Sequence, residues 1–425
     1  MISNLEKIQK IKRYGIFLEA DYARHYLGSA RLARIAIPHY LLIGERIGYR
    51  PHPLFDPITF RKEAGPRVRQ DECALIAYIE RFAAEGVSPS AEFEHGWYAW
   101  QNPDWTHAFS HPFLHCVIAG VPAGRDPAPG IDVRQLVQTS GVSGAGIVSS
   151  MYDEIRKHGR LPDFYAIYSF DELRARQDDF RRDIRVEKLI DRRVTKRRFL
   201  VFVQANCEFR RDFLYQSRNF DVLLNHYDRR PDTPNAGADI VLYQRGTKTT
   251  AISKLLEMEP DLLTSYDAVF FLDDDIHLPT QQIERLFAIM TEHDLDLAQP
   301  SLSSESDCVW HVFKQPNVGV GVRRVNSVEI MMPCLSRRAL KEVGWVFSES
   351  VSGFGVDLLL GDMLSTRCNA RAGVIGSVVA RHEKRIDDGG GAFYNFMRAN
   401  NINPKMELWS IVKRFNITPN FVYVV

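Results

Sequence analysis

The sequence has few cysteines and no framework for them. Six in 425 residues, Cys73, Cys116, Cys207, Cys308, Cys334 and Cys368, stand far apart with no CxxC pair. This excludes a dense disulfide scaffold and fits a reducing compartment. No apolar run approaches the roughly 20 residues of a membrane span. The opening "MISNLEKIQKIKRYG" interleaves charges with single apolar residues and lacks the apolar core of a signal peptide. Neither charge is in excess: 54 basic side chains against 53 acidic leave +1, which argues against bulk nucleic-acid binding. The expectation is a cytoplasmic protein of bacterial type without a transmembrane segment, with room for peripheral recruitment to the inner membrane through partners. At this length, two or three domains with cores of their own are expected.

The chain does contain a repeat. Residues 39–56, "HYLLIGERIGYRPHPLFD", and 115–132, "HCVIAGVPAGRDPAPGID", match at His, two glycines, two prolines and the final Asp with an offset of 76. At half that offset lies "AEGVSPSAEFEHGWY", so that Gly48, Gly86 and Gly124 correspond, as do Pro51, Pro89 and Pro127, and Phe55, Phe93 and Ile131. A period of about 38 pairs a short apolar helical stretch with a Gly/Pro turn, and such units must stack to bury their apolar faces. The expectation is a small, mainly helical repeat domain over 1–133. Its first role is scaffolding; a sugar-binding or protein-docking face is the functional alternative. The first copy resembles the "HYL..G..EGR.P.PLFD" repeat that stands beside glycosyltransferase domains in bacterial surface-polysaccharide proteins. That resemblance implies context and no chemistry.

Residues 134–197 run from "TSGVSGAG" into "DELRARQDDFRRDIRVEKLIDRRVTKRR" and read as a linker and an exposed helix. The basic end, Lys196 to Arg198, reads as a solvated face, with contact to phosphate or lipid as the alternative. From Phe199 short β-branched and aromatic runs alternate with helical patterns: "FLVFVQ", "FDVLLNHY", "ADIVLYQ", "TKTTAISKLLEM", "YDAVFFLDDD", "PTQQIERLFAIMTEH", "LDLAQPSL". This alternation predicts an α/β domain over 198–425 with a mainly parallel, Rossmann-like sheet and flanking helices. Ligands of such sheets bind at the carboxyl ends of strands.

"AVFFLDDD" places three acids at such an end. Side chains alternate along a strand, so Asp273 and Asp275 share one side and Asp274 points away. Two converging carboxylates repel, and Mg²⁺ or Mn²⁺ between them is the economical remedy. The competing reading, a cap on the helix that starts near Pro279, needs only one acid. Strand, DxD and helix in this order resemble the GT-A fold of nucleotide-sugar-dependent glycosyltransferases. "FDVLLNHYD", "GTK....I..LL", "YDAVFFLDDDI", "VEIMMPCLSRRAL", "GFGVDLL" and "VVARHE" resemble more closely an uncharacterised, glycosyltransferase-like domain family of plants and bacteria, over about 199–385.

The resemblance implies that Asp275 ligates the metal, that Asp273 contacts the metal or the donor ribose, that Asp274 supports, and that His382 is a further ligand. Lys248, after Gly246 at a helix start, is a candidate for the donor diphosphate. Asp357, after two glycines, corresponds by resemblance to the acid that deprotonates the acceptor, with an N-cap carboxylate as the structural alternative. Glu329, in the apolar strand-like "SVEIMMP", must be paired or functional: an alternative base, or the partner of Arg323 or Arg324. "RIDDGGGAFYNF", 385–396, reads as a mobile loop. Together these imply a metal-dependent glycosyltransferase moving a sugar from a nucleotide diphosphate sugar to a hydroxyl of a surface glycan or glycolipid. The alternatives are a nucleotidyltransferase or pyrophosphatase of the same shape, and a non-catalytic glycan-binding or assembly protein.

Overall fold

The computed structural model describes residues 3–144, 146–159, 161, 169–308, 310–315, 321–383 and 391–424. The chain divides into two compact units, Met1–Ile167 and Tyr168–Val425. Among the described residues no helix is long and apolar enough to cross a membrane.

The first unit is helical, and the 38-residue period governs its backbone. A turn of π-helix recurs at Tyr40–Gly44, Tyr78–Phe82 and Cys116–Gly120. Gly48, Gly86 and Gly124 take φ of 86°, 81° and 80°, a left-handed conformation that disfavours any side chain. Successive copies are joined by the same backbone bond: Leu18 N–H to Pro51 O at 3.2 Å, Asp56 N–H to Pro89 O at 3.2 Å, Glu94 N–H to Pro127 O at 3.1 Å. The outer copies also share a buried polar pair, Tyr22 Oη to His39 Nδ1 at 3.0 Å and Tyr98 Oη to His115 Nδ1 at 2.9 Å. Gly44 and Gly120 leave room for those hydroxyls, since a Cβ there would stand 2.0 and 1.9 Å from them. The middle copy fills the corresponding space with Phe60 and Phe82, whose rings lie edge to face at 5.3 Å.

The stretch 134–197 holds more regular structure than a linker and one exposed helix. Helices Val133–Ser140 and Gly146–His158 bury Leu136, Ile147, Val148 and Met151 in the core of the first unit. Their apolar residues recur at helical spacing, which outweighs the Gly/Ser composition between them. Helix Phe170–Asp183 belongs to the second unit and starts with a capping box of Ser169 and Glu172. "EKLID" is a strand, its backbone paired along an edge of the sheet.

The second unit is mixed α/β with, among the described residues, ten strands: β1 Glu187–Asp191, β2 Phe199–Ala205, β3 Phe220–His226, β4 Ile240–Tyr243, β5 Ala268–Asp273, β6 Ile276–His277, β7 Leu297–Leu302, β8 Val322–Arg324, β9 Cys334–Ser336 and β10 Ala372–His382. Their order is β1-β4-β3-β2-β5-β9-β7-β10-β6, with β8 also on β10. The central run β4-β3-β2-β5 is parallel, as is β7 with β10. β9 enters antiparallel between β5 and β7, and β1 closes one edge antiparallel. β2 and β3 are buried along their whole length, and β5 as far as Leu272, which explains the apolar runs "FLVFV", "VLL" and "AVFFL" at their centres. Helices Lys248–Met258 and Thr280–Glu292 follow β4 and β6. The basic run ahead of β2 is held by internal partners: Arg197 by Asp221 at 2.7 Å and Asp239 at 3.0 Å, Arg198 by Asp267.

Candidate active site

The acids leave β5 in three directions. Asp273, the last residue of the strand, faces Lys248, whose Nζ is 2.6 Å from its Oδ1. Asp274 faces β2: its Oδ2 accepts from Asn206 N–H at 3.1 Å, Asn206 Nδ2 at 2.9 Å and Tyr227 Oη at 3.2 Å. Asp275 faces β10, with Oδ2 3.6 Å from His382 Nε2. β6 pairs Ile276 with His382 in antiparallel register, and Glu383 N–H donates to Asp275 O at 2.9 Å, so the turn and the end of β10 are fixed to one another. Arg211 adds a clamp, donating to Asp274 O at 2.8 Å and Glu383 at 2.9 Å. The triplet does not cap the next helix, which begins at Thr280 with no acid in its first turn.

Lys248, the expected diphosphate contact, is engaged by partners within the protein. It is buried as the first residue of its helix, and beyond Asp273 it donates to Ile330 O at 2.6 Å and Met331 O at 3.1 Å. An ammonium has three protons, and three acceptors surround this one. Its role in the structure is to hold Asp273 and the 330–331 backbone together. The helix start is itself held: Thr247 and Thr249 hydroxyls both donate to Val351 O. Behind it, Gln204, Asn225 and Gln244, at the ends of β2, β3 and beyond β4, form a buried amide chain. Asn225 Nδ2 donates to Gln204 Oε1 at 2.7 Å, and Gln204 Nε2 to Gly246 O at 3.2 Å.

The same segments bring in the two candidate bases. Asp357 lies in the first turn of helix Val356–Cys368, two residues past the position that a side-chain cap would need. Gly355 holds that position with φ 82°, and a Cβ there would meet Leu408 and Ile411 at 3.2 Å. The loop ahead of it is organised by buried Glu407, which accepts from Val351 N–H at 2.7 Å, Ser352 N–H at 2.8 Å and Ser350 Oγ at 3.0 Å. Burial pushes Asp357 up to about 6, against the hydrogen bonds from Leu358 and Ile330 N–H and the charge of Lys248.

Glu329 lies on an irregular segment between β8 and β9 and not on a strand. Backbone and side chains share its polar groups: Phe271 N–H donates to Pro333 O at 2.9 Å and Asp273 N–H to Met331 O at 3.1 Å. Gln299 Oε1 takes the Glu329 N–H at 2.7 Å, and Lys248 takes the next two carbonyls. The pair with Arg323 does not form, for Arg323 bonds Val312 O, Lys314 O, Ser301 and Tyr423. Among the described residues Glu329 has no ion pair, and its buried Oε2 has no hydrogen-bond partner. Burial, reinforced by Asp357, pushes its carboxyl up to about 8, with His382 opposing.

Asp273 is likewise raised to about 6, by burial and then by Asp275 and Asp274, with Lys248 opposing. His382 is raised by its contact with Asp275, against its burial. Asp275 and His382 face one another at a spacing that two ligands of one ion adopt, whereas Asp273 has one oxygen committed to Lys248. The expected trio Asp273, Asp275 and His382 is therefore looser than a formed metal cage. Among the described residues the trio whose donor atoms all lie within 4.8 Å of one another is Cys207, His226 and Asp228. Of the expected glycine-rich loop, 385–390 lie outside the described residues. Ala392–Ala399 form a helix, with Phe393 stacked near Phe354 at 6.3 Å.

Residues 210–403, under half of the chain, match the family described as "Protein of unknown function (DUF707)". No curated protein matches. Among solved structures, GalNAc-T7 with UDP, GalNAc and Mn²⁺ is similar at a TM-score of 0.33 and 8% identity, over 47% of this chain and 47% of that one. TarS 1–349 of S. aureus with UDP-GlcNAc is similar at 0.30 and 13%, over 52% and 72%. A197 from STIV is similar at 0.28 and 18%, over 45% and 86%. The chain thus spans about half the length of the GalNAc-T7 chain. Likeness at these scores decides nothing about chemistry.

Proposed function

We propose that the second unit is a metal-dependent, GT-A-type glycosyltransferase that moves a sugar from a nucleotide diphosphate sugar to a hydroxyl of a surface glycan or glycolipid. The observation that carries this reading is the convergence of Asp275, His382, Asp357 and Glu329 around one strand end, with Asp273 and Asp274 anchored on either side. Asp275 and His382 would hold Mn²⁺ or Mg²⁺, with the second oxygen of Asp273 available to the ion or the donor ribose. Such an ion neutralises the charge of a departing diphosphate.

The protein's own groups divide the remaining work. At neutral pH an acid near 6 is ionised and one near 8 is protonated. Asp357 is then the base that takes the acceptor proton, and Glu329 is a hydrogen-bond donor to a bound sugar. Lys248 is a positioning residue, neutralising Asp273 and fixing the 330–331 backbone beside Asp357. Incubation with UDP- and GDP-sugars and Mn²⁺ tests the reading. Release of nucleoside diphosphate supports it; release of monophosphate or pyrophosphate assigns the site to nucleotidyl transfer or hydrolysis and overturns it.

A further inference from the structure

The parallel pairing of β2 with β3 sets Ala205 beside His226. The chain leaving each strand carries one more donor at the same level, Cys207 after β2 and Asp228 after β3. Donor atoms of the three residues lie within 4.8 Å of one another. The tetrahedral edge expected from zinc–ligand lengths is about 3.4–3.7 Å, so a modest closure suffices.

Each donor is aimed by the backbone. His226 is buried, and its Nδ1 meets Asn206 O at 3.2 Å. A carbonyl only accepts, so Nδ1 carries the hydrogen and Nε2 the lone pair; this is the arrangement by which ligating histidines are oriented. Asp228 Oδ1 accepts from Cys207 N–H at 3.1 Å, and the Cys207 thiol points its hydrogen at Arg229 O, 3.0 Å away. Among the described residues Asp228 has no ion pair, although Arg229 and Arg230 follow it; those arginines pair with Asp232 and Glu187.

We infer that Cys207, His226 and Asp228 form a binding site for a zinc-class divalent cation, separate from the acid–histidine site around Asp275. A thiolate, an imidazole and one carboxylate select a borderline-soft ion, whereas Mg²⁺ and Mn²⁺ prefer all-oxygen surroundings. Three protein ligands leave a fourth position for water or an anionic oxygen. Binding breaks the S–H bond, releases its proton to solvent and forms the sulfur–metal bond in its place. Asn206 joins the two sites, since its carbonyl orients His226 while its amide groups hold Asp274.

The test is a titration of the metal-free full chain with Co²⁺, followed by displacement with Zn²⁺. The expected result is one equivalent, bound at micromolar or lower concentration, that carries a near-ultraviolet thiolate-to-cobalt absorption, whatever Co²⁺ also enters the acid–histidine site. That band is lost in Cys207→Ala, is weakened tenfold or more in affinity in Asp228→Ala, and is unchanged in Cys73→Ser and Asp275→Ala. Circular dichroism of each variant checks the fold, and the exposed Asp228 provides a variant with little structural cost. Binding only at millimolar metal, no thiolate band, or a band that survives both Cys207→Ala and Asp228→Ala overturns the inference. The readout is metal binding alone, so it stands or falls apart from transferase activity.

Discussion

Lys248 Nζ stands 2.6 Å from Asp273 Oδ1 and also holds the carbonyls of Ile330 and Met331, so one buried cation connects the end of β5 to the segment that carries Glu329. Removing it takes the cation from the Asp273 carboxylate and the donor from Ile330 O, while Met331 O keeps the Asp273 N–H at 3.1 Å. Lys248→Met is expected to cost about 3–5 kcal/mol of stability, measured by urea unfolding. A loss below about 1 kcal/mol would mean that water replaces the ammonium at little cost.

Glu329 sets a pH dependence of stability. Its carboxyl is raised from 4.5 to about 8 on folding, by burial and the Asp357 charge, with His382 opposing. The stabilisation is fully present below 4.5, where both states are protonated, and is lost as pH rises to about 8, because the unfolded chain ionises freely. Glu329→Gln is therefore expected to gain on the wild type between pH 5 and pH 8, on the order of a few kcal/mol by linkage. Parallel unfolding curves for the metal-free proteins, with a difference that stays constant over this interval, would rule the assignment out.

Asp357→Asn is expected to lower kcat by about 10²–10⁴-fold while leaving donor binding within a few-fold. In the wild type the base must be ionised, so kcat rises with pH through about 6. The Asn variant loses that limb. A variant that keeps both the rate and the limb would remove Asp357 from the chemistry.

Gly44 tests the repeat architecture. A Cβ at this position would lie 2.0 Å from Tyr22 Oη. Gly44→Ala is expected to destabilise by about 1–3 kcal/mol through overpacking. In a Tyr22→Phe background, which mimics the Phe60–Phe82 arrangement of the middle copy, the penalty shrinks. Additive effects of the two substitutions would contradict the shared-space account.

The legible parts of this chain were those with one dominant physical signal. β2, β3 and β5 are buried on both faces and carry apolar runs at their centres, and the repeat shows because its Gly and Pro turns recur at fixed spacing. β1 was hidden because an edge strand exposes Glu187, Lys188 and Asp191, whose sequence resembles a charged helix face. "SVEIMMP" reads as a strand by composition, but Gln299 takes the Glu329 N–H and Lys248 the Ile330 and Met331 carbonyls, partners distant in sequence that leave only isolated backbone bonds to β5. The Lys248–Asp273 pair and the Cys207, His226 and Asp228 cluster share this property. Their members come from different strands and helices, so no local spacing announces them; the only hint was a polar residue at each strand end, "VQANC" and "LLNHYD".

The most direct measurement of the central claim is calorimetric titration of the full chain with UDP and GDP, with and without Mn²⁺, for the wild type and Asp275→Ala. The site described here predicts nucleotide binding that requires Mn²⁺ and is lost, or weakened at least tenfold, in Asp275→Ala with the fold intact. Binding that is indifferent to both the metal and the substitution, or no nucleotide binding by the wild type, would contradict it.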